Sequence, residues 1–208
     1  MGLFGSVLGR RNKDTALKAV QSETDEMKLA EIAKTARYPD VRRAAVERLT
    51  DESVLKDVAK NDEYPRVRWA AVERLKDESV LKDVAINDGF SGVRRAAAEK
   101  LADESFLGDI AKNDTDCAVR LTAVKRLADE SVIADVAKNG KCPDVRFAAV
   151  GKLSDESALG YIAKNDDFSR VRLAAVKKIT DESILADIAE NDIHPEVRRA
   201  AANLRGRD

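Results

Sequence analysis

Apolar and polar positions follow the period of an α-helix along this chain. In the segment Asp51–Lys76 the first apolar positions are Val54, Leu55, Val58 and Ala59. Their spacing of i, i+1, i+4 and i+5 places them on one stripe of a helix. The second half of the segment carries an equivalent stripe, formed by Val67, Ala70, Ala71, Val72 and Leu75. The segment therefore predicts two short helices, each with one apolar face.

Polar residues and a proline separate these two helices. Asp51 is a favourable N-cap, and Glu52 adds negative charge to the first turn, where the helix dipole favours it. Asn61 and Asp62 end the first helix, and Pro65 prevents the helix from continuing through the turn. The pattern predicts a hairpin of two antiparallel helices.

The hairpin recurs seven times at a fixed interval of 26 residues, without insertion or deletion. Asp-Glu pairs begin at positions 25, 51, 77, 103, 129, 155 and 181, and Val-Arg pairs at 41, 67, 93, 119, 145, 171 and 197. The repeats span 25–50, 51–76, 77–102, 103–128, 129–154, 155–180 and 181–208. A helix of about ten residues is marginal alone, so neighbouring hairpins must stack to bury both stripes. The sequence predicts an all-α fold, a right-handed α/α solenoid.

Small residues hold fixed positions in both helices. One alanine recurs in every first helix, at positions 33, 59, 85, 111, 137, 163 and 189. Second helices carry paired alanines at 44–45, 70–71, 96–97, 148–149, 174–175 and 200–201. Alanine at a contact permits the short end of the usual interhelical distances, so we expect tight stacking.

The two ends of the array differ from its interior. Residues 14–24 fall in register as a degenerate second helix, with Ala19 and Val20 at the alanine–valine positions. The last repeat ends in the polar run Arg205–Asp208. An open stack needs such polar caps for solubility. Residues 1–13 form a separate apolar and basic segment.

This N-terminal segment allows three interpretations. Gly2 fits the loose pattern for N-myristoylation, with Arg10, Arg11 and Lys13 as a basic flank. A short amphipathic helix on a membrane surface is the second interpretation, with its apolar side formed by Leu3, Phe4, Val7 and Leu8. The simplest is an apolar plug over the first repeat, so membrane attachment is not favoured.

Composition narrows the function classes. The chain has 37 Lys and Arg against 38 Asp and Glu, and this balance disfavours a dedicated nucleic-acid binder. No apolar run approaches the roughly 20 residues of a membrane-spanning helix. No Gly-rich phosphate loop or HExxH motif occurs, and a single histidine excludes a multi-histidine metal site. We therefore predict no catalytic residues, no metal and no cofactor.

The two cysteines are too few for a disulfide framework, which favours a reducing cytoplasm. Cys117 and Cys142 fall on the turns of successive repeats. Stacking predicts a separation of about 8–10 Å, which is too far for an unstrained disulfide. Asp116 or Asp144 would be the nearest acidic partners for a metal shared with these cysteines, an arrangement that we do not favour.

The run ND-x-x-P-x-VRxAAVERL resembles the second half of a HEAT repeat. The short period is similar to that of the bacterial leucine-rich repeat variant, whose units also contain Val-Arg followed by alanines. The resemblance covers residues 14–205, and it is specific for architecture rather than for function. The variant type implies a first helix that is partly 3₁₀. A full α-helix is the alternative.

The HEAT resemblance also implies a structural ladder of aspartate and arginine six residues apart, joining adjacent turns. Its members are Asp62/Arg68, Asp88/Arg94, Asp114/Arg120, Asp166/Arg172 and Asp192/Arg198. Two repeats lack the aspartate, because Ala36 stands before Arg42 and Gly140 before Arg146. We therefore expect interruptions at the first and fifth repeats. A row of anion-binding arginines is the functional alternative.

Function is expected where the copies differ. The residue after each Val-Arg pair varies most informatively: Arg43, Trp69, Arg95, Leu121, Phe147, Leu173 and Arg199. In HEAT-like solenoids the second helix lines the concave face, which implies an apolar strip with arginines among its members. Exposed aromatic and arginine side chains are typical of binding hot spots. The alternative is that these side chains pack as additional core.

Two further variable positions accompany this strip. The position four residues further on is Glu47, Glu73 and Glu99 in the first three repeats and Lys125, Gly151 and Lys177 in the next three. This change of charge would orient a partner, or the position forms a solvated helix face. The turns carry Tyr38, Tyr64, Phe90, Asp116, Cys142, Phe168 and His194, which cover helix ends or form a second binding surface.

The sequence favours a non-catalytic, cytoplasmic, monomeric scaffold that binds an unknown protein or peptide through the second helices. A HEAT-like enzyme or enzyme subunit, for base excision or chromophore lyase chemistry, is the alternative from another class. A purely structural or designed array is the third. Base excision would require a basic groove, which the balanced charge disfavours.

Overall fold

The computed structural model describes residues 12–205, and this part of the chain forms fifteen α-helices and no strands. The chain divides into two compact units that meet in sequence at Ala102 and Asp103. The first unit contains α1 Lys13–Ser22, α2 Glu26–Thr35, α3 Pro39–Val46, α4 Glu52–Asn61, α5 Pro65–Arg74, α6 Glu78–Asn87 and α7 Ser91–Lys100.

The second unit consists of four hairpins. Its helices are α8 Glu104–Asn113, α9 Cys117–Arg126, α10 Glu130–Asn139, α11 Pro143–Lys152, α12 Glu156–Asn165, α13 Ser169–Val176, α14 Glu182–Asn191 and α15 Pro195–Leu204. In both units consecutive helices pair as antiparallel hairpins, and each hairpin packs on the next. Each unit is therefore an α-solenoid of helical-hairpin repeats.

The first helix of every repeat is a full α-helix of ten residues, so the 3₁₀ alternative is wrong. Each begins after an aspartate N-cap whose carboxylate accepts hydrogen bonds from backbone N–H groups of the first turn. Asp51, for example, accepts from the N–H groups of Ser53 and Val54 at 2.8 and 3.3 Å. The same cap recurs at Asp25, Asp77, Asp103, Asp129, Asp155 and Asp181.

The two helical layers of each unit pack differently. Consecutive second helices make more contacts with each other than most consecutive first helices do. Alanine allows this close approach, and the second alanine of each pair is fully buried, as at Ala45, Ala71 and Ala175. The second helices therefore form the more closely packed layer of each unit.

Helix α1 covers the open end of the first hairpin. It begins at the N-cap Asn12 and packs against α3. Ala16 and Val20 are buried against that neighbour, whereas Ala19 is only half-buried. The degenerate half-repeat of residues 14–24 thus takes the place of a second helix at this end.

None of the helices between residues 12 and 205 combines the length and apolar character needed to cross a membrane. The proposed lipidation at Gly2 and the apolar positions 3–8 lie outside the described residues, as do positions 206–208.

Candidate functional site

The arginine of each Val-Arg pair joins consecutive hairpins within a unit. Arg42 Nη1 donates to the carbonyl of Ala36, in its own turn, at 2.8 Å. Its Nε and Nη2 donate to the two carboxylate oxygens of Asp62, in the next turn, at 2.7 and 3.0 Å. These bonds with Asp62, opposed by burial, raise the pKa of Arg42. The same fork recurs in Arg68–Asp88, Arg146–Asp166 and Arg172–Asp192.

The expected interruptions of this ladder at Arg42 and Arg146 are wrong. The residue six positions before each arginine supplies only its backbone carbonyl, and Ala36 and Gly140 supply this carbonyl as well as aspartate does. The carboxylate comes from the following repeat instead. The missing aspartate at position 140 therefore affects Arg120, the arginine of the preceding repeat. Arg120 Nε is buried without a hydrogen-bond partner.

The remaining ladder arginines keep the carbonyl contact. Arg94 donates to the carbonyl of Asp88 at 3.0 Å, and Arg120 to that of Asp114 at 2.5 Å. In the last repeat Arg198 donates to the carbonyl of Asp192 at 2.7 Å. A backbone contact within one turn is thus common to all seven copies, and the carboxylate contact depends on the next copy.

A second ladder, formed by the glutamate of each Asp-Glu pair, was not predicted. Glu52 Oε1 accepts from the N–H groups of Lys76, the last residue of its own repeat, and Asp77, the first of the next, at 2.8 and 3.0 Å. Glu26, Glu104, Glu130 and Glu156 make the same paired contact at the junction with the next repeat. The sequence did contain a signal for this ladder, because the second residue of every Asp-Glu pair is glutamate. An interaction with the helix dipole alone would be satisfied equally by aspartate.

The variable residue after Val-Arg lies outside the core in the first unit. Arg43 is half-buried on α3, Trp69 is 43% exposed on α5, and Arg95 is exposed on α7. The three hold equivalent positions on consecutive second helices. Trp69 is therefore available to a partner rather than sealed among the helices.

Two hollows adjoin this row in the first unit. The larger, of about 370 Å³, is lined by Pro39, Asp40, Arg43, Tyr64, Pro65, Arg66, Val67 and Phe90. The smaller, of about 130 Å³, is lined by Pro65, Arg66, Trp69, Phe90, Gly92, Val93 and Arg95. Pro65, Arg66 and Phe90 belong to both. The aromatic residues of the turns and the variable residues of the second helices were predicted as separate sets. In the first unit they form one surface.

Charge on this surface is predominantly positive. Arg66 makes no hydrogen bond or ion pair with another described residue. Arg43 and Arg95 lie 3.8 and 3.9 Å from Glu47 and Glu99, too far for hydrogen bonds. Arg43 Nε is buried and lacks a hydrogen-bond partner.

One acidic residue, Asp40, lines the larger hollow. It pairs with Lys13 at 3.0 Å, which lowers the pKa of the Asp40 carboxyl group. Lys13 therefore compensates the charge of Asp40, and Arg66 pairs with no described residue.

The equivalent row in the second unit is more enclosed. Leu121, Phe147 and Leu173 are half-buried, and Arg199 is exposed. The Arg170 guanidinium lies 4.2 Å from the centre of the Phe147 ring and also pairs with Asp144 at 3.1 Å. Phe147 is thus already covered on one face by a cation from its own unit.

The charge reversal along the array is present at exposed positions. Glu47, Glu73 and Glu99 are exposed in the first unit, and Lys125, Gly151 and Lys177 are exposed in the second.

The expected separation of the two cysteines is wrong. Cys117 and Cys142 bring their sulfur atoms to 3.9 Å from each other, and both thiols are free and half-buried. Asp144 places a carboxylate oxygen within 4.8 Å of both sulfurs. The expected separation was the distance between stacked helices. The two sulfur atoms are closer than this because both side chains project from the N-termini of neighbouring second helices into the same gap.

These features define a tandem helical repeat protein with two inter-repeat ladders and an aromatic and arginine-lined surface. No protein-family model matches the sequence, and no curated protein matches it either.

Proposed function

We propose that this chain is a non-catalytic scaffold that binds an extended peptide or protein segment on the second-helix face of its first unit. The surface concerned, named here the arginine–aromatic surface, consists of Arg43, Tyr64, Arg66, Trp69, Phe90 and Arg95. The two hollows beside it are the observation that carries the proposal, because they combine exposed aromatic rings with the Arg66 guanidinium, which pairs with no described residue.

The chemistry of the surface favours a segment with both apolar and acidic side chains. Tyr64, Trp69 and Phe90 are 44%, 43% and 54% exposed, an unusual concentration of aromatic area in one place. Aromatic and arginine side chains are enriched among residues that dominate binding energy. A ligand carboxylate would supply the acceptor that Arg66 lacks, with the charge-assisted strength of such bonds.

The proposal extends to the type of repeat and the setting. The hairpins and their arginine ladder support a HEAT-like repeat close to the bacterial leucine-rich repeat variant. Free, half-buried thiols support a reducing cytoplasmic location. We further propose that the scaffold acts as a monomer.

Trp69 offers a direct test, because it is the only tryptophan of the chain. Random linear peptides are selected on the full chain by display, and the selected sequences are titrated while Trp69 emission is recorded. We expect enrichment of acidic and apolar residues and a blue shift of the emission on binding. In a labelled-peptide assay, Trp69→Ala is expected to weaken binding about 30-fold, as a loss of about 2 kcal/mol implies.

Ile86→Ala is the matched control, because Ile86 is also exposed in the first unit but lies on the first helix α6. It should leave peptide affinity unchanged, and both variants should unfold at the wild-type urea concentration. Equal loss of binding in the two variants would contradict the proposed surface. Retention of a DNA duplex at physiological salt, with no peptide selected, would replace the scaffold by a nucleic-acid function.

A further inference from the structure

The contact between the fourth and fifth repeats, both in the second unit, departs from the pattern of the other copies. Gly140 stands where the ladder aspartate recurs, and Cys142 stands where Tyr38, Tyr64, Phe90 and Phe168 carry aromatic rings. Cys117 occupies a position that is proline or serine in every other repeat. These three departures meet around one side chain, Arg120.

Arg120 lacks both partners of its equivalents. Arg146, one repeat later, holds the Asp166 carboxylate at 2.6 and 3.0 Å and lies 5.5 Å from the centre of the Phe168 ring. For Arg120 the corresponding residues are Gly140 and Cys142, so neither carboxylate nor ring is supplied. Its Nε is buried without a hydrogen-bond partner, which is costly for a charged donor. An anionic group beside it would remove this cost.

The two thiols are placed to react with each other. Their sulfur atoms are 3.9 Å apart, and a disulfide bond is about 2.05 Å long, so the two sulfurs must approach by roughly 1.9 Å to be joined. Cys142 is the N-cap of α11 and Cys117 is the first residue of α9. Both are half-buried, which leaves access for a small oxidant.

The two thiols differ in their electrostatic surroundings. Burial alone would raise the pKa of Cys142, but the N–H groups of Val145 and Asp144 and the Arg120 guanidinium favour the thiolate more strongly, and the pKa is lowered. Burial and the neighbouring Cys142 raise the pKa of Cys117. A thiolate beside a thiol is the arrangement in which one sulfur attacks and the other resolves.

We propose that Cys117 and Cys142 are a redox-active pair that forms a reversible disulfide between the fourth and fifth repeats, with a hydroperoxide as the oxidant. The Cys142 thiolate attacks the peroxide, so that an S–O bond forms, the O–O bond breaks, and the released alkoxide or hydroxide takes up a proton. The Cys117 sulfur then attacks the sulfenic sulfur. The S–S bond forms, the S–O bond breaks, and the hydroxyl group leaves as water with the Cys117 proton.

In total the two thiols lose two electrons, which reduce the peroxide. Exchange with an external dithiol reverses the reaction. The surroundings favour this chemistry over binding of a divalent cation. Arg120 places a positive charge beside Cys142, and the third possible ligand, the Asp144 carboxylate, already pairs with Arg170 at 3.1 Å.

The test uses the full-length, fully reduced chain and limiting hydrogen peroxide. Intact mass is expected to fall by two hydrogen atoms, with both thiols lost to maleimide and recovered after dithiothreitol. Because the disulfide constrains the unfolded chain, the oxidised protein should melt on the order of 5–10 °C higher. In Cys117→Ser, dimedone should trap a sulfenic acid at Cys142, and Cys142→Ser should lose its remaining thiol much more slowly.

Arg120→Met separates the electrostatic role of the arginine from folding. It should slow thiol loss roughly tenfold, because the cation that stabilises the thiolate is removed. Arg198→Met, in the last repeat, is the matched control and should leave the rate unchanged. Retention of both thiols, disulfides only between molecules, or equal rates for all variants would overturn the proposal. So would stoichiometric Zn²⁺ binding that protects both thiols, since this would identify a metal site.

Discussion

At the scale of single residues, stability depends on side chains that bind two repeats at once. The guanidinium group is planar and carries donors on two edges, so one edge holds a carbonyl of its own turn and the other holds a carboxylate of the next. Lysine has no second edge with fixed geometry. This explains why the position after each repeated valine is always arginine, in all seven copies.

Replacement of a fully engaged ladder arginine should be strongly destabilising. Arg172 and Asp192 have side chains only 5% and 4% exposed, so Arg172→Met leaves a buried carboxylate without its cation. We expect the free energy of unfolding to fall by about 3 kcal/mol in urea titrations.

Arg120→Met is the matched variant, since its arginine holds no carboxylate of the next repeat. Its loss should be about 1 kcal/mol. Equal losses at the two positions would show that the carbonyl contact, rather than the carboxylate, supplies the stability.

At the scale of the helix, small residues set how closely neighbours approach. The first helices α8 and α10 pack more extensively than other consecutive first helices. Gly108 on α8 permits this contact, because a Cβ atom there would lie 2.6 Å from Cγ1 of Val132. The repeated alanine alone does not bring first helices this close. The absence of a side chain at Gly108 is therefore needed for the contact between the first helices of the two repeats that also carry the cysteine pair.

Gly108→Ala should reduce stability although alanine favours helices by about 1 kcal/mol. The added methyl group meets the β-branched Val132, whose rotamer is nearly fixed in a helix, and overpacking costs about 1–3 kcal/mol. We expect a net loss of about 1 kcal/mol in urea unfolding.

The double variant Gly108→Ala with Val132→Ala relieves the contact and tests this explanation. It should be more stable than the sum of the two single variants allows. Strict additivity would mean that Val132 is not the obstacle.

At the scale of the whole molecule, repeated carboxylates determine the response to acid. Hydrogen bonds from serine hydroxyl and backbone N–H groups lower the pKa of Asp51, Asp129 and Asp181. Backbone N–H groups at the junction with the next repeat lower the pKa of Glu26 and Glu156. A carboxyl group with a lowered native pKa stabilises the folded state above its unfolded pKa of about 4. This contribution is lost as pH falls toward the native value.

The free energy of unfolding should therefore be nearly constant between about pH 5 and 7 and fall below about pH 4. Urea titrations at a series of pH values measure this directly. Asp181→Asn keeps a capping side chain but removes one titrating group, so it should make the decline less steep. Stability that increases on acidification would contradict the assignment.

Much of the architecture followed from the sequence. The 26-residue period, the aspartate caps and the helical stripes predicted hairpins, and the structure places both helices of each repeat accordingly. The contacts between one repeat and the next could not be predicted in this way. A period shows which residues are equivalent, but not whether an arginine meets the aspartate of its own copy or of the next.

Local information therefore determined the elements of this protein: where each helix begins and ends, which face is apolar, and that hairpins must stack. Only the tertiary structure decided the contacts between copies. It showed that Arg120, rather than Arg146, lacks the aspartate of the next repeat. It also showed Glu52 and its equivalents as a second ladder and brought Cys117 within reach of Cys142. The physical reason is that capping and periodicity act over a few bonds, whereas these contacts depend on the rise and rotation from one repeat to the next.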